Sequence, residues 1–280
     1  MSDSVADALR RTAERLEAAG CESPRLDAEL LVAHVLGMSR AGLYGESRLT
    51  LSGVELAEVE RLVSRRERRE PLAYVLGEWG FRRLTLSVDR RVLVPRPETE
   101  IVVERCLAVV AGLDEPRILD VGTGSGAIAL AIADEHPGAH VTAIDALEDA
   151  LAVARENVER AGLPVELVRR DLFDGLPEGP WDLVVSNPPY VHPGEIDALE
   201  PEVRDWEPRT ALVGEGATAV VARSAREVLR FGGALVLEVA EGSAQEVAAL
   251  LRELGYRDVV VTADLTGRDR VVEGVTTSAD

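Results

Sequence analysis

The residues best suited to chemistry sit in the stretch Asn187-Pro188-Pro189-Tyr190, directly after the apolar run DLVVS. Prolines lack the N–H that a strand ladder needs, so the strand must end at about Ser186. Each proline fixes its own φ and restricts the residue before it, which makes the corner stiff. The chain holds only two asparagines, Asn157 and Asn187, and one glutamine, Gln245. One of these three amides therefore stands on a rigid strand end. Asn-Pro is ordinary turn chemistry, and a plain turn is one reading. The other is chemical. The Asn187 side-chain oxygen and the Pro188 carbonyl are two acceptors, and Tyr190 offers a flat face. Together they suit a planar NH2 group. Hydrogen bonds from both N–H groups raise the electron density on such a nitrogen and let it pyramidalise toward a methyl donor. Positioning of this kind is worth ~7–11 kcal/mol. A cationic sulfonium leaves without an acid, so the transfer asks for no catalytic His or Cys.

A second constellation lies upstream. ILDVGTGSGAIAL sets Gly122, Gly124 and Gly126, with Thr123 and Ser125 between them, where a strand gives way to a helix. Glycine permits positive φ and close approach of a ligand to the backbone. The helix start adds free N–H groups and a partial positive charge. Such a turn cradles something polar at the carboxyl edge of a sheet. Gly122, Gly124 and Ala127 also satisfy the dinucleotide pattern G-x-G-x-x-A. Asp145, at the end of HVTAID, is placed to accept hydrogen bonds from ribose hydroxyls, or to cap the helix that follows. Asp171, in RRDLFD, is placed near an adenine or caps its own loop. The turn alone thus specifies a nucleoside-containing cofactor, either a dinucleotide or S-adenosylmethionine.

The elements that must position these groups change character along the chain. Residues 1–76 read as short helices: VADALRRTAERLEAAG, then SPRLDAELLVAHVLG with Ser23 as cap and Pro24 first in the helix, then SGVELAEVERLVSRRERREP. The arginine run RRERRE reads as a solvated face. Residues 77–97 alternate apolar and polar, which predicts a β-hairpin linker with Asp89 near its turn. From residue 98 to 280 strands alternate with helices, including a helix TAVVARSAREVLRFGG before the strand ALVLEVA. The pattern predicts a doubly wound α/β domain with a mostly parallel, seven-stranded, Rossmann-like sheet.

Bulk properties exclude several classes. The net charge is −19, and all 31 basic residues are arginine. That argues against a broad nucleic-acid-binding face, which needs basic groups to neutralise phosphate. It leaves room for a basic protein partner drawn by acidic residues such as Glu195, Asp197, Glu200 and Glu202. Cys21 and Cys106 are too few for a disulfide framework, the four histidines form no ligand pattern, and no metal is expected. No apolar run is long enough to span a membrane, and the acidic, amphipathic start lacks the features of a signal peptide, so a cytoplasmic protein is expected.

The glycine turn, the Asn-Pro-Pro-Tyr corner and the stretches PLAYVLGEWGF, VLVPRPETE and EPRTALVGEG together resemble the HemK-type release factor glutamine methyltransferases. The resemblance runs from about Pro71 to Gly216. It implies a class I S-adenosylmethionine-dependent enzyme, yielding S-adenosylhomocysteine, that methylates N5 of the glutamine in the Gly-Gly-Gln motif of peptide chain release factors. It implies that Gly122 to Gly126 hold the methionine end of the cofactor, Asp145 its ribose, and Asp171 with Leu172 its adenine. Asn187, Pro188, Pro189 and Tyr190 would receive the substrate amide, with Asn187 also against the cofactor. Pro95 to Glu100 would close the cofactor site, the helical N-terminus would recognise substrate, and the protein would be a monomer. A ribosomal protein glutamine, or less readily a nucleic-acid N6-adenine, are the alternative targets. One departure stands out: after the fifth strand the family's Glu-Ile-Gly is Glu238-Val239-Ala240 here.

Overall fold

The computed structural model describes residues 4–277, which form two compact units. The first comprises the chain up to Glu78 together with Glu200–Trp206. The second comprises Trp79–Leu199 and the chain from Glu207 onward. Among the described residues no helix is long and apolar enough to cross a membrane.

The first unit packs α1 (Val5–Ala18), α2 (Pro24–Leu36), α3 (Arg40–Gly45), α4 (Gly53–Arg66) and α5 (Leu72–Leu76) around Leu16, Leu31, Leu43 and Leu62. Ser4 caps α1, and Ser52 with Glu55 forms a full capping box on α4. Ser23 stands before α2 but makes no capping bond; Pro24 needs no N–H partner there, so little is lost. The arginine run is not a solvated face. Arg65 pairs with Glu70, and Arg66 is buried. Its Nε donates to Asp27 Oδ2 at 2.8 Å, and its Nη1 lies 2.8 Å from Glu202 Oε1. Arg69 takes the other Glu202 oxygen at 2.6 Å. Glu202 lies in the returning segment, where α9 (Pro201–Arg204) is a single turn. It therefore belongs to a buried ion-pair cluster and is not a free steering charge.

The second unit opens with the hairpin β1 (Glu78–Phe81) and β2 (Leu84–Ser87). Its turn is Arg82-Arg83, not Asp89. Arg82 takes a positive φ of 53°, and carboxylates hold it there: its N–H donates to Glu100 and its guanidinium meets Glu135 and Glu104. Asp89 organises the next bend by accepting from the Arg91 amide. Then follow α6 (Thr99–Val110), β3 (Arg117–Val121), α7 (Ala127–Glu135), β4 (His140–Asp145), α8 (Glu148–Ala161), β5 (Val165–Arg169) and β6 (Trp181–Ser186). After the returning segment come α10 (Arg209–Leu212), α11 (Ala217–Val228), β7 (Leu229–Glu238), α12 (Ala244–Glu253), β8 (Arg257–Ala263) and β9 (Asp269–Val275). The helix expected to reach Gly233 ends at Val228. Leu229–Gly233 extends the strand instead, because Gly232 and Gly233 favour leaving a helix.

The seven-stranded sheet has the order β5-β4-β3-β6-β7-β9-β8, parallel except for β9, which is antiparallel to both neighbours. Alternate strand residues feed two cores. Ile118, Val141, Leu183 and Val236 pack with α6 and α7, while Leu119, Ile144, Val184 and Leu235 pack with α11 and α12. Burial on both faces explains the near-continuous apolar strands.

Asp120, in β3, is fully buried. Thr123 Oγ1 donates to its Oδ2 at 2.6 Å. Its Oδ1 has no partner. Burial pushes this carboxyl up to about 7. Between its unfolded value near 4 and about 7, the folded chain keeps a proton that the unfolded chain has lost, so stability falls as pH rises through that window.

Two outcomes are expected from this architecture. Asp120→Asn should gain on the parent by about 2–3 kcal/mol in unfolding free energy between about pH 5 and pH 8, measured by urea denaturation. An unchanged difference would mean that Asp120 does not titrate there. Arg66→Ala should cost about 3–5 kcal/mol by stranding Asp27 and Glu202. Hydrogen exchange should then rise across Glu200–Trp206 ahead of the rest of the first unit.

Candidate active site

Strand order reverses between β3 and β6: β4 and β5 lie on one side, and β7 onward on the other. In doubly wound sheets the crevice at that point, outside the carboxyl ends, is where ligands bind. Register fixes what meets there. Val121 pairs with Ser186, and Ser186 Oγ donates to the Val121 carbonyl at 2.7 Å. The next residues, Gly122 and Asn187, therefore leave the sheet from adjacent strands.

A cavity of about 370 Å³ opens at this place. Its wall includes Gly122, Thr123, Gly124, Ser125, Asp145, Asp171, Leu172, Asn187 and Pro189. Gly126, Pro188 and Tyr190 are not in that wall. Gly126 starts α7 with φ 83°, where an added Cβ would press on Leu130 at 3.2 Å, so its reason is packing. Pro188 is buried at the corner. Tyr190 is 37% exposed and turns its hydroxyl to Glu238.

The glycine turn is pinned from β4. Gly122 and Thr123 donate to the Ile144 carbonyl, and Gly124 donates to Asp145 Oδ2 at 3.0 Å. At Gly122 (φ 76°) and Gly124 (φ 56°) an added Cβ would meet nothing within 4 Å. Both positions border the cavity, so a ligand can lie against bare backbone. Asp145 Oδ1 accepts from the Leu147 amide, so this carboxylate organises both the turn and the start of α8. Burial raises it above the usual carboxylate range. Its remaining lone pairs suit ribose hydroxyls. Asp171 accepts from the Phe173 amide at 2.9 Å and so caps the 3-10 turn Leu172–Asp174. The cradle, the acceptors and the volume fit a nucleoside with a polar tail.

The corner is clamped from behind. The Val191 amide donates to the Leu212 carbonyl, and Val191 bridges Val213. A Cβ on Gly214 would meet Pro189 Cγ at 2.5 Å, so only glycine fits there. Arg96 and Pro95 border the cavity, and Arg96 Nη2 donates to both oxygens of the buried Glu207 at 2.7 Å. This ties Pro95–Glu100 to the segment after the corner.

Phe173 and Glu207 carry no expectation from the sequence, whereas Arg96 and Thr99 fall within the Pro95–Glu100 stretch expected to close the site and Glu238 within the loop after the fifth strand. Thr99, Arg96 and Phe173 border the cavity, and Glu207 and Glu238 are buried beside it. Phe173 stands 61% exposed at its edge. The signal for it was an aromatic after Asp171 in a chain with three phenylalanines. Glu238 ends an apolar strand, where a carboxylate needs a reason. Burial raises it, as it raises Glu207. The Tyr190 phenol, with its hydroxyl desolvated beside Glu238, is pushed up to about 12.

Residues 7–77 match the family model described as PrmC N-terminal domain, and residues 99–264 the Methyltransferase small domain. A release factor glutamine methyltransferase of Deinococcus radiodurans is 42% identical over 95% of this chain and 96% of its own. One from Geobacter sulfurreducens is 40% identical over 91% and 90%. A 16S rRNA N2 G1207 methyltransferase from T. thermophilus, solved with AdoMet and guanosine, superposes with a TM-score of 0.53 over 71% of this chain and 49% of its own, at 17% identity, and shares the fold alone. With relatives this similar along nearly its whole length, the chain belongs to the release factor glutamine methyltransferase family.

Proposed function

We propose that the chain transfers the methyl group of S-adenosylmethionine to the side-chain amide nitrogen, N5, of the glutamine in the Gly-Gly-Gln motif of peptide chain release factors. The observation that carries this reading is that Asn187 and the glycine turn border one cavity, in a chain whose relatives bear that name. When bound, S-adenosylmethionine supplies an electrophilic methyl group on a cationic sulfur.

The chain's own residues do the rest. Gly122 to Ser125 hold the methionine end of the cofactor, Asp145 its ribose, and Asp171 with Leu172 its adenine, with Phe173 offering a face for that base. Asn187 Oδ1 and the Pro188 carbonyl accept the two N–H groups of the substrate amide. That amide's lone pair is delocalised into its carbonyl. Two fixed acceptors draw the nitrogen toward sp3 geometry and aim the lone pair at the methyl group. The Tyr190 ring packs on the amide. The N–C bond forms as the S–C bond breaks, and sulfur keeps that electron pair. The surplus proton on the methylated nitrogen is strongly acidic and passes to water. Glu195 and Asp197, both exposed, remain to steer a basic release factor surface in the cytoplasm.

Transfer of radiolabelled methyl from S-adenosylmethionine tests the reading. Label should appear on a release factor, vanish when its Gly-Gly-Gln glutamine becomes alanine, and be absent from adenine-rich DNA. Label on DNA would instead mean that the corner holds a base nitrogen. Asn187→Ala should lower turnover by about 10²–10³-fold, as loss of a fixed electrostatic partner does, with S-adenosylmethionine affinity kept.

A further inference from the structure

The corner has a support that the transfer itself does not explain. Glu238, at the end of β7, is 1% exposed. Thr99 Oγ1, at the start of α6, donates to its Oε2 at 2.7 Å. The Tyr190 hydroxyl donates to its Oε1 at 3.4 Å. Asn187 Nδ2 faces Thr99 Oγ1 at 3.5 Å, the loosest contact of the set. Catalytic hydrogen bonds are often long before substrate binds and tighten afterwards.

The polarity of this chain of contacts matters more than its lengths. A hydroxyl has one hydrogen. Thr99 gives its hydrogen to Glu238, so toward Asn187 it has only a lone pair. The Asn187 atom that faces Thr99 must then be the donor, its NH2. Its oxygen is left for the cavity that Asn187 borders. Reversed, the amide would turn two hydrogens toward a substrate NH2 that has only hydrogens to offer.

We infer that Thr99 and Glu238 are positioning residues that fix which end of the Asn187 amide faces the substrate, with Glu238 also steadying Tyr190. The inference deepens the proposed transfer to an amide nitrogen and rests on it for its kinetic effect. It also gives a use to the loop that departs from Glu-Ile-Gly: the glutamate is kept, and the glycine, replaced by Ala240, is not part of the network. Glu238→Gln keeps the shape but brings an NH2 that can donate to Thr99. Thr99 is then free to donate to Asn187, and the amide turns over.

Composition supplies a direct probe. The chain has three side-chain amides, Asn157, Asn187 and Gln245, so a 15N-resolved spectrum of the full chain shows three NH2 pairs. Asn187→Asp removes and so assigns one of them. Asn157 is bonded elsewhere, to the Ser87 and Ser125 carbonyls, and serves as an internal control. Thr99→Val should move the Asn187 pair and speed its exchange with solvent while leaving the Asn157 and Gln245 pairs in place. Thr99→Ser should leave all three in place. With a release factor as substrate, Thr99→Val and Glu238→Gln should lower kcat by about 10²-fold, the loss typical of a misplaced catalytic group, with KM and S-adenosylmethionine affinity held within about threefold. Thr99→Ser should restore kcat. An unmoved Asn187 pair in Thr99→Val overturns the inference, whether or not kcat falls. A shifted pair with unchanged kcat overturns its catalytic consequence. If the parent chain does not label the release factor, the proposed function fails, and the Asn187 pair alone decides whether Thr99 orients the amide.

Discussion

The pairing of β3 with β6 is the constraint on which the site depends. Val121 opposite Ser186 makes both strands end together, and the Ser186 hydroxyl on the Val121 carbonyl locks that end. The glycine turn and the Asn-Pro-Pro-Tyr corner then emerge from adjacent strands at the reversal of strand order. A slip of one residue would turn every side chain of β6 to the opposite face. It would send Val184 into the core that holds Leu183 and Val185, and it would displace Asn187 from the turn. The two apolar cores therefore enforce the alignment of the chemistry. No single contact could do so alone.

The second theme is desolvation. Asp120, Asp145, Glu207 and Glu238 are all raised by burial, and all lie at or beside the carboxyl edge of the sheet. In the first unit Asp27 is also raised by burial, while Glu29 and Glu67 there, and Glu135 at the hairpin, are lowered by hydrogen bonds to neighbours. A fold that merely needed stability would not gather buried carboxylates in one place, because each costs free energy unless fully satisfied. Each has a positioning task that offsets the cost. Asp120 receives Thr123 of the glycine turn, Asp145 shapes the turn itself, Glu207 anchors Arg96, and Glu238 receives Thr99 and Tyr190. Clusters of perturbed groups of this kind mark functional sites.

Much of this was legible in the sequence, and the illegible part has a pattern. The strands, their parallel alternation, the glycine turn and the corner all announce themselves through local spacing. Asp145 follows from its distance after the glycines. What spacing could not reveal was pairing across the chain. Thr99 and Glu238 meet over a separation that no periodicity encodes, and so do Arg96 and Glu207. The hairpin turn departs from the sequence expectation for the same reason. Asp89 has the propensity, but Arg82 has three distant carboxylates that outweigh its reluctance to adopt positive φ. The arginine run failed likewise, since Arg66 is buried by partners far along the chain. Local chemistry was readable, and ion-pair partners were not.

Those distant pairs also bear on the long segment between the corner and Gly214. Its two ends border the candidate site. One begins at Asn187, and the other supplies Glu207 and the glycine that seats Pro189. Its middle, Glu200–Trp206, is built into the helical unit through Arg66 and Arg69. A free loop of that length would lose considerable entropy on ordering. Fixing the middle on the helical unit shortens the stretches left to order, and loop-closure cost grows with length. The buried cluster of Asp27, Arg66 and Glu202 fastens Glu200–Trp206 within the first unit. Ion pairing that would be a poor source of stability is well used as a fastener, because breaking it strands a buried charge and so leaves Glu200–Trp206 a single arrangement on the helical unit.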